Sequence, residues 1–147
     1  MLRSYLSSHG PFDGILGFSQ GAGLAAMHIV REGMSPVRQG DPPFKCAIFI
    51  SSIAVPDPTA FDLRGEIRFL DPEVDKELIQ IPTVHIWGAK DELNQGSQVL
   101  KKLCVQSMAS VFIHDGDHEI PGLGAKEAVV ETVKAMRRGI SNALYVQ

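Results

Sequence analysis

Gly17-Phe18-Ser19-Gln20-Gly21 sets a serine between two glycines in the pattern Gly-x-Ser-x-Gly. Serine becomes a nucleophile only when a base takes its proton, so the flanks decide whether the pattern is chemistry or a passive turn. The apolar run 12–18 precedes it and reads as a short strand. A segment rich in Ala, Leu and Met, 20–32, follows at once and reads as a helix. A serine in so sharp a strand-to-helix turn is pushed out above the sheet with its Oγ exposed. The flanking glycines relieve crowding where a side chain would strike a neighbouring strand or helix. The N–H of Gln20 then lies free at a helix N-terminus, where it can stabilise an oxyanion.

The base and its orienting acid must come from later strand ends, because ligands meet open α/β sheets at the carboxyl ends of strands. Asp91 follows the apolar run 82–88, and His118 follows the run 107–113 within His114-Asp115-Gly116-Asp117-His118-Glu119-Ile120-Pro121. In this reading His118 takes the serine proton as general base, and Asp91 holds the imidazole tautomer and stabilises the imidazolium. Other readings stay open. Asp115 or Asp117 could orient a histidine, or with His114 and His118 could bind a metal. Their spacing is no known ligand spacing, and no distant Cys or His pair completes a tetrahedral set, so no metal is expected. His114 reads as a structural strand end. His9, His28 and His85 have no partner motif and read as structural or solvent-facing.

The elements that must position these groups follow from periodicity. Four apolar runs, 12–18, 45–51, 82–88 and 107–113, alternate with helical patterns. The continuous runs mark strands buried on both faces. Val99, Leu100, Leu103 and Cys104 give one helical stripe; Ala125, Val129, Val133, Met136 and Ile140 give another. Gly33 and Pro36 supply a stop for the helix after Ser19. Arg137 and Arg138 suit the dipole of the last helix, with Gly139 as its cap. Strand–helix alternation predicts an α/β chain with a parallel sheet of about four strands and helices on both faces. Residues 52–81 break the rhythm with Pro56, Pro58 and Pro72. They read as a lid-like insertion with short helical pieces, over a pocket, within a single domain spanning 1–147.

Composition bounds the rest. The chain has 147 residues, with 14 Lys+Arg against 17 Asp+Glu and a net charge of -3. Apolar residues are 44% and charged residues 21%, which argues against disorder. A slightly acidic chain has no electrostatic footprint for nucleic acid or an anionic membrane. No window reaches the ~18 to 20 apolar residues of a membrane span, and the first residues lack the apolar run of a signal peptide. Cys46 and Cys104 are too few and too far apart for a disulfide framework. They read as buried reduced thiols, which points to a cytoplasmic location. Lys90-Asp91-Glu92-Leu93 is internal and carries no address.

Gly10-Pro11-Phe12-Asp13-Gly14-Ile15-Leu16-Gly17-Phe18-Ser19-Gln20-Gly21-Ala22 resembles the signature of the FSH family of serine hydrolases. Residues 81–91 resemble that family's acid-bearing strand and turn. Asp117-His118-Glu119-Ile120-Pro121 resembles its histidine loop, with Asp117 where glycine is usual. The resemblance implies an α/β-hydrolase-like fold and a Ser19, Asp91, His118 triad with Gln20 as an oxyanion donor. It also implies hydrolysis of carboxylic esters or acyl thioesters without metal or cofactor. Some fungal relatives release acyl products beside polyketide synthases, so a carrier-protein-bound acyl chain is one expected substrate.

Members of that family begin with a strand and a His-Gly-Phe-like loop before the serine turn. The chain is therefore expected to be the C-terminal part of the fold, lacking the second oxyanion donor. Loss of one such donor costs on the order of 10²–10³ in rate. The first strand would then present a bare edge open to self-association. Two alternatives follow: a catalytically impaired module that binds acyl ligands or proteins, and an acyltransferase using the same triad.

Overall fold

The computed structural model describes residues 2–35 and 42–145. The elements run α1 (Leu2–His9), β1 (Gly14–Phe18), α2 (Gln20–Gly33), β2 (Cys46–Ile50), α3 (Pro58–Arg64), α4 (Pro72–Asp75), β3 (Thr83–Gly88), α5 (Asn94–Lys102), β4 (Ala109–His114) and α6 (Lys126–Tyr145). The four strands form one parallel sheet in the order β1-β2-β3-β4. Spatial order equals chain order, so each strand hands over to its loop at the same rim.

Side-chain alternation along the strands divides the core in two. Ala47 and Phe49 of β2 point to the face covered by α2 and α5, where they join Ala22, Ile29, Val30, Leu100 and Leu103. Ile48 and Ile50 point to the opposite face, with Val84, Ile86 and Ala135 of α6. Every residue of β2 and β3 is buried, which is why these strands read as unbroken apolar runs. β1 is largely exposed. Its second edge pairs with nothing among the described residues, and Leu16 is 55% exposed.

The boundaries differ from the sequence reading in two instructive places. β4 starts at Ala109 rather than Ser107, because residues Gln106–Met108 form a 3-10 turn. Gly139 does not cap the last helix: α6 continues to Tyr145, and a Cβ at Gly139 would overlap Val84 Cγ2. The glycine lets α6 lie close across β3. At the other helix, α2 ends at Gly33 with Met34 as C-cap, and Pro36 lies outside the described residues.

The 52–81 segment is ordered by local polar chemistry. Asp57 caps α3, accepting from Thr59 N at 2.8 Å and Ala60 N at 3.2 Å. Pro58 follows as the first helical residue, where a missing N–H costs nothing. Gly65, with φ 65°, closes that helix in the left-handed region. Asp71 and Pro72 repeat the start for α4. Arg68 then joins Asp57 and Asp75, each at 2.6 Å, and Asp57 N donates to Arg68 O at 2.8 Å. Leu70 N donates to Val55 O at 2.9 Å, anchoring two buried apolar residues. Burial alone would raise the Asp57 pKa; the Arg68 guanidinium and the two helix N–H groups outweigh it and hold the carboxyl below its usual range.

Cys46 and Cys104 are free and buried. Burial pushes the Cys104 thiol up to about 12 and raises Cys46, with Asp13 adding to the shift.

Two predictions follow from these contacts. Gly139→Ala should destabilise by up to about 2 kcal/mol in urea unfolding, because overpacking against Val84 (~1–3 kcal/mol) opposes and outweighs the helix-propensity gain of about 1 kcal/mol. Gly33→Ala, which meets nothing within 4 Å, should be neutral or stabilising. Asp57→Asn should flatten the acid limb of the stability profile. The Asp57 contribution is complete above its unfolded value of 3.8 and is lost as pH falls through the lower folded value. An unchanged acid limb in Asp57→Asn would show that the bridge contributes nothing.

Candidate active site

Ser19 sits at φ 55° and ψ -120° between β1 and α2, a conformation costly for a residue with a Cβ. Three backbone hydrogen bonds hold it. Ser19 N donates to Ile50 O at 2.9 Å, while Ala22 N and Gly23 N donate to Ser19 O at 3.1 and 3.3 Å. The tight turn also needs clearance at Gly17, where a Cβ would stand 2.5 Å from backbone atoms of Gly21 and Ala22. The second glycine of the motif differs from the sequence reading, since a Cβ on Gly21 would meet nothing within 4 Å. As N-cap of α2, Ser19 makes no side-chain capping bond, so its hydroxyl remains available.

That hydroxyl meets His118. His118 Nε2 lies 2.8 Å from Ser19 Oγ, and His118 Nδ1 lies 2.9 Å from Asp91 Oδ2. A carboxylate only accepts, so Nδ1 carries the proton and donates to Asp91, which leaves Nε2 to accept from the serine hydroxyl. Asp91 is 2% exposed. Its other oxygen accepts from Leu93 N at 2.8 Å, so both carboxylate oxygens are occupied and its rotamer is fixed. The His118 ring also packs beside Phe18, centroids 5.3 Å apart. The described structure thus brings together Ser19, His118 and Asp91. Gln20 opens α2, and its N–H has no carbonyl one turn back to bond.

The loops that carry acid and base are joined to each other. Ala89 N donates to His114 O at 2.7 Å and Lys90 N to Gly116 O at 3.0 Å. A Cβ at Gly88 would overlap the carbonyl oxygens of Gly116 and Asp117. Only glycine lets the histidine loop lie this close to the acid turn. Sequence reading took Gly88 as a strand end and missed this role; its signal is a glycine three residues before the acid.

The rival groups fall elsewhere. Asp117 accepts from the backbone N of His118 at 2.8 Å. His114 is 4% exposed, and its Nδ1 accepts from Gly116 N at 3.2 Å. His85 is buried against Thr83 Oγ1 at 3.0 Å, and burial pushes its pKa down to about 3, so it is neutral. His28 is buried in α2, with its pKa lowered by burial. His9 stacks on Tyr5 at the end of α1. Among the described residues, no group of three or more His, Cys, Asp or Glu is arranged to hold a metal, and no helix is long and apolar enough to cross a membrane.

Residues 1–129 match the family described as serine hydrolase (FSH1). Esterase FPY3 of Fusarium mangiferae is 38% identical over 144 residues, covering 97% of this chain and 62% of that protein. Hydrolase phiM of a fungal species (strain ATCC 74256) is 34% identical over 119 residues, 81% of this chain and 55% of that protein. Esterase OVCA2 of Homo sapiens is 33% identical over 121 residues, 82% of this chain and 48% of that protein. The chain therefore spans between about half and two thirds of the length of these relatives. In fold, it superposes on a solved protein from Agrobacterium vitis S4 with a TM-score of 0.60 at 18% identity, over 94% of this chain and 65% of that one. The sheet is thus that of an α/β-hydrolase-like fold. The family match runs through the serine turn, the acid and the histidine alike and covers most of the sequence, so the chain belongs to the serine hydrolase (FSH1) family.

Proposed function

We propose that the protein cleaves carboxylic ester or thioester bonds through Ser19, His118 and Asp91. The observation that carries this reading is the unbroken line of hydrogen bonds from Asp91 through His118 to Ser19, joining residues 99 positions apart. Ser19 Oγ attacks the carbonyl carbon as His118 Nε2 takes its proton. The Gln20 N–H, backed by the positive end of a 14-residue helix, stabilises the oxyanion. His118 returns the proton to the departing alkoxide or thiolate as the carbon–oxygen or carbon–sulfur bond breaks, leaving an acyl-enzyme on Ser19. Water deprotonated by His118 then releases the acid.

His118 keeps 28% of its side chain exposed, so water can reach the acyl-enzyme. That favours hydrolysis over transfer to another acceptor. The esterase names of relatives support an ester substrate. A carrier-bound acyl thioester is the finer proposal, with 52–81 acting as a lid within one catalytic domain.

A fluorophosphonate probe should label the folded protein at Ser19, and Ser19→Ala should abolish labelling. Asp91→Asn should lower kcat by about 10⁴-fold, because the imidazole loses its oriented tautomer. Labelling at another residue, or none in a folded sample, overturns the reading.

The unpaired edge of β1 favours a second reading, in which the chain binds an acyl ligand or a partner without turnover and pairs with its own copies through β1. Sedimentation should then show a concentration-dependent oligomer that Leu16→Lys disperses, with no ester hydrolysis. A strict monomer rules out the pairing, and Ser19-dependent turnover rules out the non-catalytic role.

A further inference from the structure

Phe18 is the residue before the serine, and nothing in the turn prescribes it. The turn needs clearance at Gly17 and the backbone angles of Ser19, while the position between them accepts any side chain. Core packing does not prescribe it either. Phe18 pairs in register with Ile50, so both point to the face where α6 packs on β2, β3 and β4. Ile50 is 1% exposed there, whereas Phe18 is 37% exposed. A phenyl ring this open gains little from burial, and its ring contact is with His118.

The two centroids are 5.3 Å apart and the planes are tilted by 44°. The imidazole reaches this point from the far side of the sheet: β4 and β1 are three strand spacings, roughly 14 Å, apart. Two hydrogen bonds hold it, Nδ1 to Asp91 Oδ2 and Nε2 with Ser19 Oγ. Bonds at two ring nitrogens leave one motion free, a tilt of the ring about the line that joins them. A second ring packed beside the imidazole resists that tilt.

The contact also depends on charge. When Ser19 gives its proton to Nε2, the imidazole becomes an imidazolium. An aromatic face carries negative potential and attracts a cation within about 6 Å. The acids around His118 are Asp91 on Nδ1, Asp117 on the backbone N–H and Glu119, the next residue in the loop. β1 and the first turn of α2 bring no ionisable side chain. On that side, the Phe18 ring is what meets the new charge.

We propose that Phe18 is a positioning residue for proton transfer, its ring holding the tilt of the His118 imidazole and favouring its charged form. The role rests on Ser19 being the nucleophile. Acylation and deacylation both pass through protonated His118. An interaction that strengthens with that charge raises kcat and leaves KM alone.

Fluorine withdraws density from a ring face and barely changes the ring's shape. Mono-, di- and trifluorinated phenylalanine placed at position 18 should lower kcat on p-nitrophenyl acetate stepwise, reaching about two- to fivefold with three fluorines. KM should stay constant, and fluorophosphonate labelling of Ser19 should slow in the same order. Phe18→Leu, which also frees the tilt, should lose at least as much, and Phe18→Tyr should keep kcat within about twofold of the native chain. A rise in KM at constant kcat overturns the proposal, because the ring is then a wall for the substrate. The Ser19→Ala protein reads the contact without turnover. Phe18→Leu in that background should move the NMR signals of the His118 ring protons, assigned with His118→Gln; unmoved signals overturn the contact and the proposal with it. Ser19-dependent turnover that is flat along the fluorinated series sinks the role of Phe18 and leaves the hydrolase. Moved signals with no Ser19-dependent turnover sink the hydrolase reading and this role together.

Discussion

The backbone of Ser19 is the constraint from which the rest of the site follows. A non-glycine residue at φ 55° costs about 1–3 kcal/mol, and the surrounding hydrogen bonds must over-determine it. They do so from two elements at once: β2 accepts the Ser19 N–H, and the first turn of α2 donates to the Ser19 carbonyl. The same chain shows what a relaxed helix start looks like. Asp57 and Asp71 cap α3 and α4 with their own side chains. Ser19 caps α2 with no side-chain bond. The strain withholds the hydroxyl from the helix and leaves it for His118, so stability is traded at one residue for a free oxygen.

A free oxygen is useful only if a base stands beside it, and the sheet provides that by its simplest property. Parallel strands in chain order place all their carboxyl ends on one rim. Gly88 pairs in register with His114, so the acid turn and the histidine loop leave the sheet at one height. The two loops then bond through their backbones, and the absence of a Cβ at Gly88 lets them touch. Asp91 is consequently held at one oxygen by Leu93 N, and His118 takes the other. The orientation of the imidazole rests on backbone geometry rather than on flexible side chains.

What could be read beforehand was whatever leaves a one-dimensional trace. β2 and β3 announce themselves because both faces are buried, and the serine turn because strand, motif and helix are contiguous. Asp91 and His118 were legible from their places just after strands. The misreadings share a cause. A glycine is the same letter whether it ends a helix or clears space for a strand, and Gly139 does the second because Val84, 55 positions away, crosses it. Gly88 hid its function for the same reason. The bridge from Arg68 to Asp57 and Asp75 joins residues that share no helix or strand, so no stripe on one element marks it. The cleft between Phe69 and Leu93 is made by two segments that meet only in three dimensions.

Two surfaces of the chain remain open, and they differ in kind. The cleft beside Ile53 and Leu93 is bounded on both walls by this chain. The β1 edge has a wall on one side only. Any strand added there in parallel would end beside Ser19, because β1 itself ends there. The loop leaving such a strand would lie on the same rim as Ser19 and the Gln20 N–H. A donor supplied there is worth on the order of 10²–10³ in rate, while the hydrogen bonds among Ser19, His118 and Asp91 are already made without it. The hydrogen bonds from Ser19 through His118 to Asp91 are thus set by β1, β3, β4 and the loops that follow them, and they are made without anything at the free edge of β1.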